Sequence, residues 1–352
     1  MMKQIIHQLS NSDHIFIATH ANPDGDAIGS LIAMGLALDA LGKDTTLYCE
    51  SSIPAVYRFL PNVNRITHHV PAGARYDAAL ILDCGSLERI GEPADRISQV
   101  SVIINVDHHY TNSGFGHLHY IAPSACATTE IVYQLIKALG VSLNQSMATC
   151  IYTGILTDTG SFRFSNTNRA AFFICDEMVG LGVKPDLIAQ FVYGTYSLGR
   201  LKLLNMALDS IEISPNGQLS LMVVTREMMN QTGTDPFDAD GLINYARSIE
   251  NVKLAAMIQS QYDDRQKNGD PAGFHVSLRS NGSVDAAAVA GLFGGGGHFS
   301  AAGFHIDATL VQVKKRLFDL AMTLERWEPK VCVIPEWERL VDNSGERKTG
   351  LL

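Results

Sequence analysis

Three stretches of this sequence bring side chains that could hold divalent cations to the ends of apolar runs. His20, Asp24 and Asp26 fall in the spacing H-x-x-x-D-x-D, Asp83 ends a second run, and Asp107, His108 and His109 end a third. Carboxylates gathered in one place repel, so such a cluster calls for positive charge among its members. Mixed carboxylate and imidazole donors with no thiolate suit Mn2+, Fe2+, Zn2+ or Mg2+. The chemistry implied is that of a metal centre, which can act on a small anion even in an acidic protein because the ions reverse the local charge. Singly, each residue has a plainer reading: an aspartate at a strand end is usually a turn or cap residue, and a His-His pair is usually surface or core. Their joint arrangement carries the metal reading.

The elements that must position these residues are legible as well. HIFIAT reads as a strand, AIGSLIAMGLALDALG as a helix ending at Gly42, TTLYCE as a short strand, and AALILDC and SVIINVD as strands ending at Asp83 and Asp107. Continuous apolar runs suit parallel strands buried on both faces, and their alternation with helices predicts an open α/β sheet. In such a sheet the strand C-termini share one edge, where ligands bind. Pro23 and Gly25 permit a tight turn after the first strand. Asp24 and Asp26, two positions apart, can then face different ions. The next helix, expected from about Ala27, brings its positive N-terminus to the same site. Asp158 closes the apolar helical run CIYTGILTD. A carboxylate there needs a partner or a metal, or else it caps the following turn through Thr159 and Gly160.

The helices TTEIVYQLIKALG, NQSMATCIYTGILTD and NRAAFFICDEMVGLG complete a first domain over 1–189. The pattern from Pro185 to Ile211 stays helical, giving a connector over 190–212. Strands QLSLMVVT, VKLAAMIQSQY and GFHVSLRS, with helices near ADGLINYARSI, DAAAVAGLF and TLVQVKKRLFDLAMTLERW, predict a smaller α+β domain over 213–330, followed by a polar, partly disordered tail over 331–352. Four consecutive glycines, Gly294 to Gly297, precede His298. Gly295, Gly296 and Gly297 would let backbone amides approach a phosphate or base closely, or would simply form a flexible turn. Arg279 ends a strand and carries a planar fork suited to phosphate. Arg247 is a weaker candidate, equally readable as a solvated helix end.

With 352 residues, 46% hydrophobic and 18% charged, the chain can bury two cores. A net charge of −9 argues against wrapping long nucleic acid. Its six cysteines form no C-x-x-C pair, which fits buried thiols in a reducing cytoplasm. Neither a signal peptide nor a membrane span is expected.

The stretches HANPDGDAIGS, LDCGS, NVDHHYTN and GILTDTGSFRFSNT together resemble, in order, the four motifs of the DHH phosphoesterase superfamily, with Asp107-His108-His109 as the eponymous triplet. SLRSNGSVDAAAVAGLFGGGGHFSAAGF resembles the DHH-associated substrate-binding domain. The resemblance covers about 15–325. It implies one metal held by His20, Asp24 and Asp83 and another held by Asp26, Asp83, His108 and Asp158, with Asp83 bridging. It further implies His109 near the substrate phosphate as a catalytic group, Asp107 supporting the ligands from behind, and Arg279 and His298 as phosphate or nucleotide contacts. Two divalent cations are expected, Mn2+ first, with Mg2+ or Co2+ as alternatives.

Within the superfamily the compact two-domain layout is most similar to NrnA-type enzymes. Members of that type degrade short RNA fragments and remove the 3′-phosphate of 3′-phosphoadenosine 5′-phosphate (pAp). The runner-up is a soluble cyclic-di-AMP or pApA phosphodiesterase. Polyphosphate or pyrophosphate hydrolysis is third, and a non-catalytic nucleotide-binding regulator last. A homodimer is a further expectation of the resemblance; no membrane partner is expected.

Overall fold

A computed structural model describes residues 1–71, 73–194, 196–260, 273–297 and 299–323. His298, Cys332 and the tail 331–352 lie outside the described residues. In the first half, α1 (Met2–Asn11), β1 (His14–Ala18), α2 (Gly25–Ala40), β2 (Asp44–Tyr48), β3 (Ala78–Leu82), α3 (Ala94–Ile97), β4 (Ile103–Asp107), β5 (Leu118–Ile121), α4 (Thr128–Ala138), α5 (Gln145–Asp158), α6 (Arg169–Gly180) and α7 (Pro185–Tyr193) build around one sheet. Its five strands are all parallel, in the order β2-β1-β3-β4-β5.

Every residue of β3 and β4 is buried; β3 is wholly apolar, and in β4 the buried Asn105 donates to the Cys84 carbonyl at 3.2 Å. One sheet face packs Ile17, Leu80, Leu82 and Ile104 against α2, α4 and α5, and the other packs Phe16, Ala79 and Ile81 against Ile90 and Ile97. The strand order reverses between β1 and β3, which opens a crevice at the C-terminal edge of the sheet at that point.

The helix α2 has almost no exposed side because it is sandwiched between the sheet and α5. Gly29 permits this arrangement: a Cβ there would lie 2.5 Å from the Cys150 carbonyl oxygen of α5. The tight crossing fixes the ends of both helices, and those ends carry Asp26 and Asp158.

The helical stretch 185–211 is broken. Gly194 follows α7, and the Ser197 hydroxyl accepts from the Arg200 amide to start α8 (Leu198–Asp209). A serine N-cap after glycine is a restart signal that outweighs continuous apolar spacing. Helix α8 packs Leu203 and Ala207 into the second domain. That domain continues with β6 (Glu212–Ile213), β7 (Leu219–Val224), α9 (Arg226–Thr232), α10 (Ile243–Arg247), β8 (Leu254–Ser260), β9 (Phe274–Ser280), α11 (Ala286–Gly291), β10 (Gly296–Gly297), β11 (Ala301–Ile306) and α12 (Leu310–Ala321).

Its six-stranded sheet has the order β10-β11-β9-β8-β7-β6, with only β7 and β8 parallel. Val276, Leu278 and Phe304 on one face pack with Val289 of α11 and Leu317 of α12. Met222, Ala255 and Met257 on the other face pack with α8, α9 and α10. The two halves meet where Thr111, on the loop after β4, donates through its hydroxyl to the Gly297 carbonyl at 3.3 Å. Among the described residues no helix is long and apolar enough to cross a membrane.

Candidate metal centre

Strands β1, β3 and β4 end side by side, and each delivers donors to the crevice. Asp83 directly follows β3 with φ +53°, a left-handed conformation that aspartate tolerates better than most residues. Its two oxygens face different histidines: Oδ2 is 3.6 Å from His20 Nε2, and Oδ1 is 3.8 Å from His108 Nε2. The His108 Nε2 atom also lies 3.8 Å from Asp26 Oδ2 and 3.6 Å from Asp158 Oδ2.

Three overlapping donor sets result: His20 with Asp24 and Asp83, Asp26 with His108 and Asp158, and Asp83 with His108 and His109. Within each set the donor atoms lie within 4.8 Å of one another. These separations are too wide for hydrogen bonds and suit an ion at the middle. The structure thus brings together all six residues that the resemblance assigns as ligands.

Hydrogen bonds to the surroundings hold the donors in place. The His20 Nδ1 edge engages the Ala21 carbonyl at 2.9 Å, and the His108 Nδ1 edge engages the Ala125 carbonyl at 3.2 Å. Each contact turns Nε2 toward the cluster, the usual support for a ligating imidazole. Asp24 caps α2, its Oδ1 accepting from the Asp26 and Ala27 amides at 3.0 Å. Helix α2 therefore begins at Gly25, slightly ahead of the expected Ala27.

Asp26 is 1% exposed. It accepts from the Thr128 and Thr129 amides at the N-terminus of α4 and from the Thr129 hydroxyl, at 2.6–2.8 Å. The Thr128 hydroxyl donates to Asp83 at 2.9 Å. Asp107 belongs to none of the donor sets. Its Oδ1 receives the His108 and His109 amides and sits 2.7 Å from His109 Nδ1, so it orients His109 from behind.

Burial and crowding displace the titrations. Burial, with Asp83 next, raises Asp26 well above the ordinary carboxylate range. Burial likewise lifts Asp158 to about 6, against the pull of His108. Burial would lower His108, but Asp158, Asp26 and Asp83 outweigh it and hold its proton up to about 9. Metal binding must displace these protons.

Apparent metal affinity should therefore strengthen as pH rises through 6 and on toward 9, with net proton release. Calorimetric titration with Mn2+ in buffers of different ionisation enthalpy reads this directly. An affinity flat across that range would rule out the carboxylate and imidazole donor set.

The thiols do not compete as ligands. Cys84, beside Asp83, is pushed by burial to about 12, and its Sγ donates to the Ser86 carbonyl.

On the second domain, Arg279 is half-buried on β9. Burial lowers its pKa, while Asp240, Asp158 and Asp24 counteract; it thus senses carboxylates of the metal cluster across the crevice. The second half of the glycine run is strand, preceded by a turn at Gly294. Gly296 and Gly297 pair with Gly303 and Ala302 of β11, and a Cβ at Gly295 would lie 2.2 Å from the Gly303 carbonyl oxygen. Two of these glycines are thus required by packing alone, Gly297 also having φ +146°. Arg247 is not a solvated helix end: its guanidinium stacks on Phe164 of the first domain, 4.6 Å from the ring centroid.

Several residues at the site escaped the sequence reading. Thr128 and Thr129 grip Asp26 and Asp83, Asn112 donates to Asp107, and Asn166 donates to Asp158 at 3.1 Å. Arg89 lies near enough to lower the His20 pKa against the carboxylates. The Thr-Thr-Glu run opening a helix was the available signal for the threonines, and the Asn residues had none.

Comparison with known proteins fits this geometry. Residues 14–155 match the DHH family, N-terminal domain, and residues 219–326 match the DHHA1 domain. A Thermus thermophilus protein, a bifunctional oligoribonuclease and PAP phosphatase NrnA, is 36% identical over 82% of this chain and 83% of its own. The chain belongs to the DHH phosphoesterase family. It is a hydrolase of phosphoester bonds, in a family of metal-dependent enzymes. The Bacillus subtilis NrnA of the same description is 26% identical over 87% of this chain and 93% of its own. A solved structure of an exopolyphosphatase-related protein from Bacteroides fragilis superposes with a TM-score of 0.81 at 29% identity, covering 93% of this chain and 96% of that one. In this DHH phosphoesterase every residue of the metal-suited donor sets lies in one of the four motif stretches, while Asp107 of the triplet stands behind them.

Proposed function

We propose that this DHH phosphoesterase hydrolyses short oligoribonucleotides to nucleoside monophosphates and removes the 3′-phosphate of pAp, using two divalent cations, Mn2+ first among them. The observation that carries the two-ion reading is Asp83, whose two oxygens face His20 on one side and His108 on the other. His20, Asp24 and Asp83 would hold one ion, and Asp26, Asp83, His108 and Asp158 the other. The hard oxygen and imidazole set, with its neighbouring thiols kept protonated, favours Mn2+ over softer ions. When bound, the cations supply Lewis acidity that acidifies an attacking water and offsets charge on the phosphoryl oxygens.

The protein's own side chains do the rest. Asp107 fixes His109 through Nδ1, directing the other ring nitrogen toward the substrate, where it can donate a proton to a phosphoryl oxygen or the leaving oxygen. Arg279 offers a fork to a phosphate that enters between the domains. The glycine strand β10 touches the first domain through the Thr111 hydroxyl, which donates to the Gly297 carbonyl. The substrate assignment draws on the relatives described as NrnA. The described cysteines are buried as thiols, the state a reducing compartment maintains, and this supports a cytoplasmic setting.

The test is a direct comparison with Mn2+ of pAp, pApA, cyclic-di-AMP, polyphosphate and an RNA ladder from dinucleotide to pentanucleotide. The expected result is turnover of pAp and of the shortest RNAs, with kcat/KM falling steeply along the ladder. Preference for polyphosphate or the cyclic dinucleotide would replace this assignment.

A further inference from the structure

The second domain presents a polar row that the catalytic centre does not use. Strand β9 alternates strictly. Phe274, Val276, Leu278 and Ser280 are buried, while His275, Ser277 and Arg279 are half-buried on the opposite face. On that face β11 places Ala301 beside Arg279, Gly303 beside Ser277 and His305 beside His275. The row therefore runs from the arginine that senses the metal cluster to a pair of imidazoles. Alternate residues of an antiparallel strand lie about 7 Å apart, a step comparable with that between successive phosphates of an extended single strand.

The far end of the row carries two imidazoles. His275 and His305 have ring centroids 4.9 Å apart at an interplanar angle of 52°. The His275 ring lies over Gly303, where a Cβ would come within 3.1 Å of its Nε2, so the missing side chain gives the ring its seat. Ser277 Oγ is 3.5 Å from His275 Nδ1, linking the pair to the middle of the row. On the β8 side, Gln259 donates to the Pro236 carbonyl at 3.1 Å and anchors a turn along that border. The other end of β9 and β11 adjoins β10, where Gly297 meets Thr111. A chain held at the metal cluster and at Arg279 can thus continue along the row, away from the domain contact.

We propose that Ser277, His275 and His305 form a binding track for the nucleotides beyond the one being cleaved, with Ser277 donating to the linking phosphate or ribose and the histidine pair offering a stacking platform to a base. Stacking tolerates any base and suits an enzyme that accepts mixed RNA fragments. Burial, with His305 and Arg279, holds His275 down at about 4, so at neutral pH it serves as a neutral ring and hydrogen-bonding group. This inference rests on the oligoribonucleotide reading.

The experiment measures KM for a dinucleotide and a tetranucleotide of one sequence with Mn2+, in the wild type and in His305→Ala, His305→Phe and the double variant His275→Ala/His305→Ala. His305 is exposed, so its substitution should leave the fold intact. Loss of one stacking platform should raise the tetranucleotide-to-dinucleotide KM ratio about tenfold, more in the double variant, and His305→Phe should restore most of it. An unchanged ratio in His305→Ala and in a folded double variant, while the wild type cleaves both RNAs, overturns the track alone. A wild type that cleaves no RNA overturns the track together with the oligoribonucleotide assignment.

Discussion

Asp83→Asn should lower kcat by at least about a thousandfold, the scale on which charge stabilisation at a reacting centre operates, while leaving the protein folded. The carboxamide keeps the shape, tolerates the φ of +53° and can still accept from the Thr128 hydroxyl. What it loses is one negative charge between two histidine-bearing donor sets. Elemental analysis should find fewer than two ions per chain. The metal-free variant should stay folded but melt somewhat below the metal-free wild type, because, against the opposing effect of burial, His20, His109 and His108 hold the Asp83 carboxyl well below the usual carboxylate range and that attraction is lost. Near-normal turnover with Mn2+ would sink the two-ion arrangement. A collapsed melting curve would instead reassign Asp83 to the fold.

Arg279→Ala should reduce kcat/KM on pAp and on dinucleotides by about a hundredfold, since a charge-assisted hydrogen bond contributes about 1.5–3 kcal/mol. The guanidinium is held near the crevice by its own Nη1 contact to the Leu278 carbonyl at 3.0 Å and by the field of Asp240, Asp158 and Asp24. Arg279→Lys should recover only part of the loss, because an ammonium cannot reproduce the planar fork. Metal content should stay at the wild-type value, which separates this lesion from that of Asp83. Equal kcat/KM values in wild type and Arg279→Ala would remove the arginine from substrate binding.

The donor cluster was legible because three of its segments sit at the ends of strands whose apolar runs announce themselves. Parallel strands buried on both faces are mostly apolar until they reach the edge, so Asp83 and Asp107 stand out as charged residues at strand ends. Asp158 was ambiguous, because a carboxylate at a helix end can cap or ligate. Its Oδ2 lies 3.6 Å from His108 Nε2, a contact that only the tertiary fold supplies.

The supporting groups were not legible. Thr128 reaches Asp83 from another segment of the chain, and Asn112 and Asn166 hold nearby aspartates through loops whose shape only the fold supplies. The same holds for β5, a short half-buried edge strand, and for β10, whose two glycines look like a turn until β11 pairs with them. Arg247 stayed open between a weak substrate contact and a solvated helix end, because the ring it lies over, Phe164, belongs to the other domain.

The grip of α4 on Asp26 has a consequence for how the enzyme gains and loses its ions. Two backbone amides and a hydroxyl hold that carboxylate before any cation arrives. Asp24 is likewise fastened to the start of α2. The protein's own amides and hydroxyls thus fix these donors, and loading them with cations requires the release of protons. In small zinc domains, by contrast, chelation unravels the protein. Here chelation should disarm the enzyme without unfolding it, because those bonds come from the protein itself, and supply of the ion would then act as a reversible throttle on activity.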